Sequence, residues 1–309
     1  MIPLVTVIIP NFDSDQQMLE KCIRSINSQL VSGKLEIILV DNGSEKQKKA
    51  DLILFRRKFK NLKIIFLKDN YGFAKAVNIG AEIARGDYLF ITNNDVVLEK
   101  NLLFKLYSYL IRHPKIALVG PVSYLDEQSI KLDSAVHHYS LITGLFSTTL
   151  PMQPDISDWI SGSAMLIRKT DFKTLDGFDE DFFFYYEDVD MGLRIKKMRR
   201  LSVCVPTATM IHNRGTTAHK TKNHNFRYFY LYLGRQQLLI KHGNWLQIFI
   251  GLFLQFVVFS VYHAIILRDN SNRQLLKATK HNIVNIRKLI SARHRYHKWQ
   301  LSINMTSAY

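Results

Sequence analysis

Four times in its first hundred residues the chain repeats one pattern: a short apolar run that breaks off in polar residues. Leu4–Ile9 ends in Pro10-Asn11, Glu36–Val40 in Asp41-Asn42-Gly43-Ser44, Leu62–Leu67 near Asp69-Asn70, and Asp87–Ile91 in Asn93-Asn94-Asp95. Helical stretches lie between them. Asp15–Leu30 carries Met18, Leu19, Cys22, Ile23 and Ile26 at helical spacing, a lysine-rich segment runs to Lys58, and Phe73–Ala84 is Ala-rich and introduced by Gly72. The alternation β-α-β-α-β-α-β predicts a parallel sheet with helices on both faces. Parallel strands place all their carboxyl ends on one edge, and ligands of open α/β sheets sit at that edge. A cleft for a polar ligand is therefore expected there. No G-x-G-x-x-G follows the first strand and no G-x-x-x-x-G-K-[ST] occurs, which argues against a common dinucleotide dehydrogenase and a P-loop nucleotide hydrolase.

The fourth strand end is the most informative. In Tyr88–Leu98 a buried-strand pattern runs into Asn93, Asn94 and a single carboxylate, Asp95, before a second apolar run. One carboxylate between amides suits a divalent cation that also holds a diphosphate, because Mg²⁺ takes one or two protein carboxylates plus phosphate oxygens. An ordinary Asn/Asp turn explains the same residues equally well.

Residues 115–185 are less regular. Trp159–Arg168 reads as a turn entering a strand, Asp176–Glu180 as a turn, and Phe182–Tyr186 as an aromatic wall. Glu187-Asp188-Val189-Asp190 then opens a helical stretch that runs to Met198. Acids favour helix N-termini for structural reasons alone. Beside aromatic residues, however, a carboxylate can be tuned as a general base. His212 follows a short apolar strand, and on its residues alone a structural role outweighs a metal or phosphate role.

In this order, Val7–Asn11, Val40–Ser44, Asn70–Gly80, Asn93–Asp95, Gly162–Arg168, Phe178–Asp190 and His212 resemble the family 2 inverting nucleotide-sugar glycosyltransferases, in particular their bacterial rhamnosyltransferase-like branch. The likeness spans residues 3–217. It implies a GT-A type α/β fold, a Rossmann-like nucleotide-binding sheet fused to an acceptor-binding half, over residues 1–222. The donor half would be residues 1–98 and the acceptor half 99–222, with a basic, apolar, membrane-associating helical region at 223–309. It implies an inverting hexosyltransferase acting in bacterial surface-polysaccharide synthesis. The donor would be a nucleoside-diphosphate sugar, first of all dTDP-L-rhamnose, and the acceptor a hydroxyl of a lipid-diphosphate-linked saccharide. A UDP-hexose or UDP-galactofuranose is the alternative donor.

The resemblance also assigns roles. Pro10, Asn11 and Asp41 are expected to line the base and ribose. Asn70, Gly72 and Asn78 would border the donor pocket, with Asn93 and Asn94 beside the donor. Asp95 is the one acid at the place of the family's D-x-D motif, and with His212 it would hold Mg²⁺ or Mn²⁺. Asp188 is the expected catalytic base, with Glu187 and Asp190 orienting base or acceptor, and Trp159 and Gly162 on the acceptor side. Direct displacement with one base inverts the anomeric centre and needs no second opposed carboxylate, unlike a retaining glycosidase.

Charge bears on the partners. Of the formal +16, residues 191–309 hold 20 Lys/Arg against one acid, Asp269, a net of +19, while residues 1–190 have a net of −3. An anionic partner is implied: nucleic acid, anionic lipid or a phosphorylated substrate. A nucleic-acid-binding protein accounts for the charge but leaves the strand ends, Asp188 and His212 unexplained, so no nucleic-acid partner is expected. A catalytically silent member that only binds sugars is a third reading, against which Asp95, Asp188 and His212 argue. Trp245–Leu267 is 23 residues without formal charge, long enough to span a bilayer. Its polar residues, Gln247, Gln255, Ser260 and His263, fall on one half of a helix. Basic flanks on both sides oppose a span. The segment is therefore expected to lie in or on an anionic membrane surface, as a peripheral or monotopic element at the cytoplasmic face of the inner membrane, with a span, a core helix or a homodimer contact as the alternatives. Ser271–Ile290 reads as one basic amphipathic helix of the kind that rests among headgroups. Cys22 and Cys204 have no metal-site spacing and read as free thiols in a reducing compartment. Met1–Pro10 lacks a basic n-region and cleavage site and reads as a first strand.

Overall fold

The four apolar runs are strands β1 (Val5–Asn11), β2 (Leu35–Asp41), β3 (Leu62–Phe66) and β4 (Tyr88–Thr92). The computed structural model describes residues 5–29, 35–125, 127–128, 130–213, 224–262, 265 and 271–306. Leu4 and Leu30, the expected outer ends of the first strand and first helix, lie outside these residues. The four strands pair in parallel in the order β4-β1-β2-β3, with Ile8 opposite both Ile38 and Ile91. Val7, Ile8, Ile9, Ile37–Val40 and Leu89–Ile91 are all buried, as a sheet covered on both faces requires.

Three helices supply that cover. In α1 (Gln16–Asn27) the predicted stripe Leu19, Cys22, Ile23 and Ile26 is buried, and Asp15 caps the first turn by accepting from Met18 N at 3.0 Å. Helix α2 (Lys46–Lys58) buries Leu52 and Phe55. Helix α3 (Phe73–Ile83) packs on the other face, where a Cβ on Gly80 would lie 2.7 Å from the Ile8 side chain. The absence of a side chain there lets α3 sit directly on β1.

Past β4 the sheet continues in mixed directions. The remaining elements are β5 (Val96–Leu98), α4 (Leu102–Arg112), β6 (Ile116–Tyr124), β7 (Leu132–Ser134), β8 (Val136–Tyr139), β9 (Phe146–Thr149), β10 (Asp155–Ser157), β11 (Ala164–Arg168), α5 (Lys169–Thr174), α6 (Glu187–Lys197) and β12 (Leu201–His212). The full order is β10-β12-β6-β11-β4-β1-β2-β3, with β5 on β12, β7 on β6, and β8–β9 a separate hairpin. Strand β12 runs to 12 residues, longer than its short apolar core suggests. A register shift between Val205 and Thr209 interrupts its parallel ladder with β6, which resumes to Ile211, and its last residues also pair antiparallel with β5, placing His212 opposite Val96. That pairing brings His212 next to Asp95.

Four helices follow: α7 (His224–His242), α8 (Trp245–Leu254), α9 (Ser271–Val284) and α10 (Ile286–Thr306). A π-helical turn, Gln255–Phe259, and a last turn, Ser260–Tyr262, extend α8. The expected boundary at 222/223 and positions 263, 264, 266 and 267 of the apolar segment lie outside the described residues. Gln247, read as part of a polar helix face, instead closes a capping box with Asn244, each side chain bonding the other's backbone N–H at 2.8 Å. Ser271–Ile290 is two helices rather than one, parted at Asn285. Its expected single apolar side is divided: Leu275 and Leu289 are buried, whereas Leu276 and Ile283 are exposed. Leu275 and Ala278 pack on Tyr232 and Leu233 of α7, and this packing turns the other row outward.

Helix α6 is tied down by a charge pair taken fully out of water. Arg194 Nε donates to Asp190 Oδ2 at 2.7 Å, and Arg194 Nη1 to the carbonyls of Leu175 and Gly177 at 2.5 and 2.8 Å. Removing one member of a buried pair strands the other, at about 3–5 kcal/mol. Arg194→Met is expected to lose stability on that scale in urea unfolding; a loss below about 1 kcal/mol would refute the assignment.

Candidate active site at the strand-end cleft

A chain of side-chain hydrogen bonds crosses the carboxyl ends of β4, β1 and β2. Asn94 Nδ2 donates to Asn11 Oδ1 at 2.9 Å, and Asn11 Nδ2 to Asp41 Oδ1 at 3.1 Å. Ser44 Oγ donates to Asp41 Oδ1 at 2.5 Å, and Ser44 N to Asp41 Oδ2 at 3.3 Å. Asn42 carries the network onward, donating to Asn70 Oδ1 at 2.9 Å and to the Gly72 carbonyl at 3.0 Å. Gly72 adopts φ +88°, and a Cβ there would meet the Phe183 carbonyl at 2.5 Å, so the loop before α3 can lie against the aromatic segment only as glycine. Pro10 is half-buried at the end of β1. Of the expected donor residues, Asn11, Asp41, Asn70, Gly72 and Asn94 thus share one network. Asn78 is engaged elsewhere: it accepts from Phe178 N at 2.9 Å and donates to the Phe178 carbonyl at 2.9 Å and to Glu180 Oε1 at 3.1 Å, fastening α3 to the 176–180 turn.

At the end of β4 two bases face each other. His212 Nε2 lies 3.3 Å from Asp95 Oδ1 and 3.3 Å from Asn93 Nδ2. His212 Nδ1 lies 2.8 Å from Asp133 Oδ2 on β7, which also accepts from Ser123 Oγ at 2.8 Å. Burial opposes a charge on this imidazole, but Asp133 and Asp95 outweigh it and push its pKa up to about 9. The surroundings therefore favour positive charge. With Nδ1–H donated to Asp133, the second proton of the charged imidazole, on Nε2, faces Asp95 Oδ1 across 3.3 Å, and that oxygen has no hydrogen-bond partner of good geometry among the described residues. A divalent cation would take the place of that proton, and a carboxylate behind the imidazole is the usual arrangement around metal-binding histidines. No three His, Cys, Asp or Glu side chains converge as a metal cluster among the described residues. Asp95 and His212 would supply two ligands and leave the others to phosphate oxygens and water.

One turn connects this strand end to the acid cluster. The Ser163 carbonyl accepts from Thr92 Oγ1 at 2.8 Å and from Asn93 N at 3.1 Å, while Gly162 N donates to Asp188 Oδ2 at 3.0 Å. Asp188 Oδ1 accepts from Val189 N at 2.8 Å. Burial raises the Asp188 pKa to about 6, against these backbone donors. Glu187 is pushed well above the carboxylate range, by burial and then by the charge on Asp188, and its Oε2 has no partner among the described residues. Of the two, Asp188 is the one that ionises more readily, and Glu187 the one that holds a proton longer. Tyr185 and Tyr186 enter α6 at φ +67° and +70°, turning the aromatic run sharply into the helix. Trp159 stacks on His137, ring centroids 4.0 Å apart.

Asp190 is committed to the fold. It is fully buried, and besides Arg194 it bonds His242 Nε2 at 2.7 Å. Arg194 and His242 hold its pKa far below the usual range despite burial. Burial lowers His242 to about 4, so it meets Asp190 as a neutral donor. Lys241, also fully buried, bonds Asp179 at 2.6 Å and Asp181 at 2.8 Å. Sequence reading did not single out Asp133, Lys241 or His242. They lie far in the chain from the residues they support, and no local pattern marks them.

A family model, Glycosyl transferase family 2, matches residues 6–175, more than half of the chain. The chain belongs to glycosyl transferase family 2. It is a glycosyltransferase. Among relatives of this family-2 chain, N-acetylglucosaminyl-diphospho-decaprenol L-rhamnosyltransferase of Mycobacterium tuberculosis is 27% identical over 248 residues, 69% of this chain and 79% of that one. Rhamnosyltransferase WbbL of Escherichia coli K12 is 27% identical over 161 residues, 46% of this chain and 61% of that one. The fold resembles two solved structures. One is the mannosyltransferase PcManGT of Pyrobaculum calidifontis with GDP-Man and Mn²⁺ (TM-score 0.59, 15% identity, 100% of this chain and 88% of that one). The other is GalNAc-T7 with UDP, GalNAc and Mn²⁺ (TM-score 0.61, 14% identity, 89% of this chain and 59% of that one). At these identities the likeness is one of fold, and the fold of this family-2 chain is of the GT-A type.

The Lys241 clamp makes a measurable prediction. Lys241→Met leaves Asp179 and Asp181 facing each other without their buried cation. Amide hydrogen exchange across 178–190 should accelerate while β1–β4 stay protected; unchanged exchange in that segment would show that the clamp does not hold it.

Proposed function

We propose that the protein transfers a sugar, with inversion, from a nucleoside-diphosphate donor to a hydroxyl of a lipid-diphosphate-linked saccharide, with Asp188 as base. The observation that carries the reading is the Ser161–Ser163 turn, which hydrogen-bonds the Asn93–Asp95 strand end on one side and Asp188 on the other. One site thereby holds both a place for diphosphate charge and a base. Residues 1–98 would serve the donor and 99–222 the acceptor. Asn11, Asp41, Asn70 and Gly72 would frame the nucleotide, with Asp41 acting by fixing Asn11 and the Ser44 turn. A divalent ion held by Asp95 and His212 would neutralise the leaving diphosphate as a Lewis acid.

Asp188 takes the proton of the acceptor hydroxyl as its oxygen attacks the anomeric carbon. The bond from that carbon to the diphosphate oxygen breaks, and the nucleoside diphosphate leaves with the electron pair. Glu187 keeps the shared proton, which leaves Asp188 the charged member. Asp190 acts as a positioning residue through α6. The names of the two rhamnosyltransferase relatives support L-rhamnose as the sugar, and the decaprenol-linked name supports a lipid-linked acceptor.

Membrane attachment follows from the same reading. By length and composition the stretch Trp245–Tyr262 could cross a membrane. Its packing is inside out. Gln255 and Gly251 are buried, whereas Trp245, Phe249 and Phe253 are 73%, 72% and 55% exposed. A core helix would show the reverse. We place α8 against the cytoplasmic leaflet of the inner membrane, with exposed Arg273, Lys277, Lys280 and Arg287 of α9 and α10 facing anionic headgroups.

Variants, a pH profile and a donor panel test the chemistry. Asp188→Asn should lower kcat by about 10²–10⁴-fold while donor affinity by calorimetry stays within a few-fold, and in the wild type kcat/KM should fall about tenfold per pH unit below about 6 as the base protonates. Near-normal turnover in Asp188→Asn would remove Asp188 as base. Asp95→Ala should cost about 10²–10³-fold in turnover. Asp133→Asn should weaken Mn²⁺ binding, titrated in the presence of dTDP or UDP, by about 10–100-fold. Metal affinity untouched by either change would end the metal reading. A panel of dTDP-rhamnose, UDP-hexoses and UDP-galactofuranose identifies the donor.

A further inference from the structure

Ser140–Pro154 contains no charged side chain. It forms the tip and outer arm of the β8–β9 hairpin; Leu141 packs inward, but four of its large apolar residues face outward. Leu145, Phe146 and Leu150 are 60%, 63% and 56% exposed, and Met152 is fully exposed. Single exposed apolar residues need no explanation, but a cluster in an uncharged segment does. The hairpin is anchored at both ends. In its tip the Thr143 carbonyl accepts from Arg235 of α7, and at its base His137 bonds Ser134 Oγ at 2.7 Å and Thr148 Oγ1 at 2.9 Å. The hairpin also abuts α8, where a Cβ on Gly251 would lie 3.0 Å from the Ile142 carbonyl. The hairpin tip thus touches the buried side of α8, a helix whose Trp245, Phe249 and Phe253 are themselves exposed.

We propose that this hairpin is a second membrane contact: Leu145, Phe146, Leu150 and Met152 enter the headgroup–acyl boundary beside α8. The inference rests on the membrane reading of α8 and adds a site to it. Charge selects the occupant. Residues 191–309 carry a net of +19, and the exposed basic side chains of α9 and α10 complement anionic headgroups. The hairpin also reaches the acceptor side of the site. Phe146 meets the Trp159 ring edge-on, centroids 6.4 Å apart. A saccharide linked to a lipid in the same leaflet would then rise next to Trp159.

The test uses the full chain and vesicles of equal parts phosphatidylcholine and phosphatidylglycerol. Both native cysteines are buried, so Met152→Cys can be labelled selectively with an environment-sensitive dye. Vesicles should shift the dye emission to the blue. Leu150→Ser with Met152→Ser should weaken vesicle binding about tenfold, the scale of two partly buried apolar side chains. The α8 variant Phe249→Ser with Phe253→Ser separates the two claims. If it loses binding while the hairpin variant binds normally and the dye does not shift, the hairpin inference falls and the α8 reading stands. If the unmodified protein ignores the vesicles at low salt, both fall. A blue shift that grows with protein concentration and needs no vesicles would assign the hairpin to a second copy of the chain and overturn the proposal.

Discussion

A carboxylate with no solvent exposure keeps its charge only if other groups replace the water it has lost. Asp190 is such a group, and much of the acceptor side depends on how it is satisfied. Arg194, one turn along the same helix, takes one oxygen, and His242, at the end of α7, takes the other. Arg194 also reaches the carbonyls of Leu175 and Gly177. The rotation of α6 is fixed as a result, and with it the positions of Glu187 and Asp188 in its first turn. The same contact makes the C-terminal helices part of the site's support. Lys241 and Lys288 neutralise Asp181, and Tyr296 bonds Asp179. The charge asymmetry between the two parts of the chain is thus partly spent inside the molecule, where C-terminal cations meet N-terminal acids.

Within that support, environment separates carboxylates of similar chemistry. Asp190 is held ionised by a guanidinium. Glu187 has neither a cation nor a donor on its buried Oε2 among the described residues, and its pKa is pushed up. Asp188 lies between these extremes, half-buried and held by two backbone N–H groups. Groups whose environments push their pKa values apart are the usual basis of acid and base assignments. At the other end of the Ser161–Ser163 turn, Asp95 and Asp133 flank His212 and favour positive charge there, as a proton on the imidazole or as a cation in its place.

The outer surface follows a different logic. In a helix packed on a soluble core, polar residues face water. In α8 the buried positions are Gly251 and Gln255, and aromatic and branched side chains face outward. Close packing explains Gly251, which lies against Leu239 and the Ile142 carbonyl. The outward face has no counterpart among the described residues.

Repeated apolar runs with polar ends determined the parallel sheet by themselves, since strand length, alternation with helices and placement of the strand ends are all local properties. They also marked Asn11, Asp41, Asn70, Asn94 and Asp95, because a residue that ends a parallel strand can only lie on the ligand edge. The acid cluster 187–190 was visible in the same way, but which acid does what was not. Three carboxylates in one turn look alike until Arg194 and His242 are seen to claim Asp190. Asn78 matched a motif and proved to fasten the 176–180 turn, because its helix faces that turn in the folded chain. Asp133 joins His212 from 79 positions away, through the pairing of β7 with β6 and the late pairing of β12 with β5. Such contacts depend on strand order and register, which only tertiary packing decides. The amphipathic reading of Ser271–Ile290 failed for the same reason: periodicity tells which residues share a side, while the packing of α7 determines which of them remain exposed.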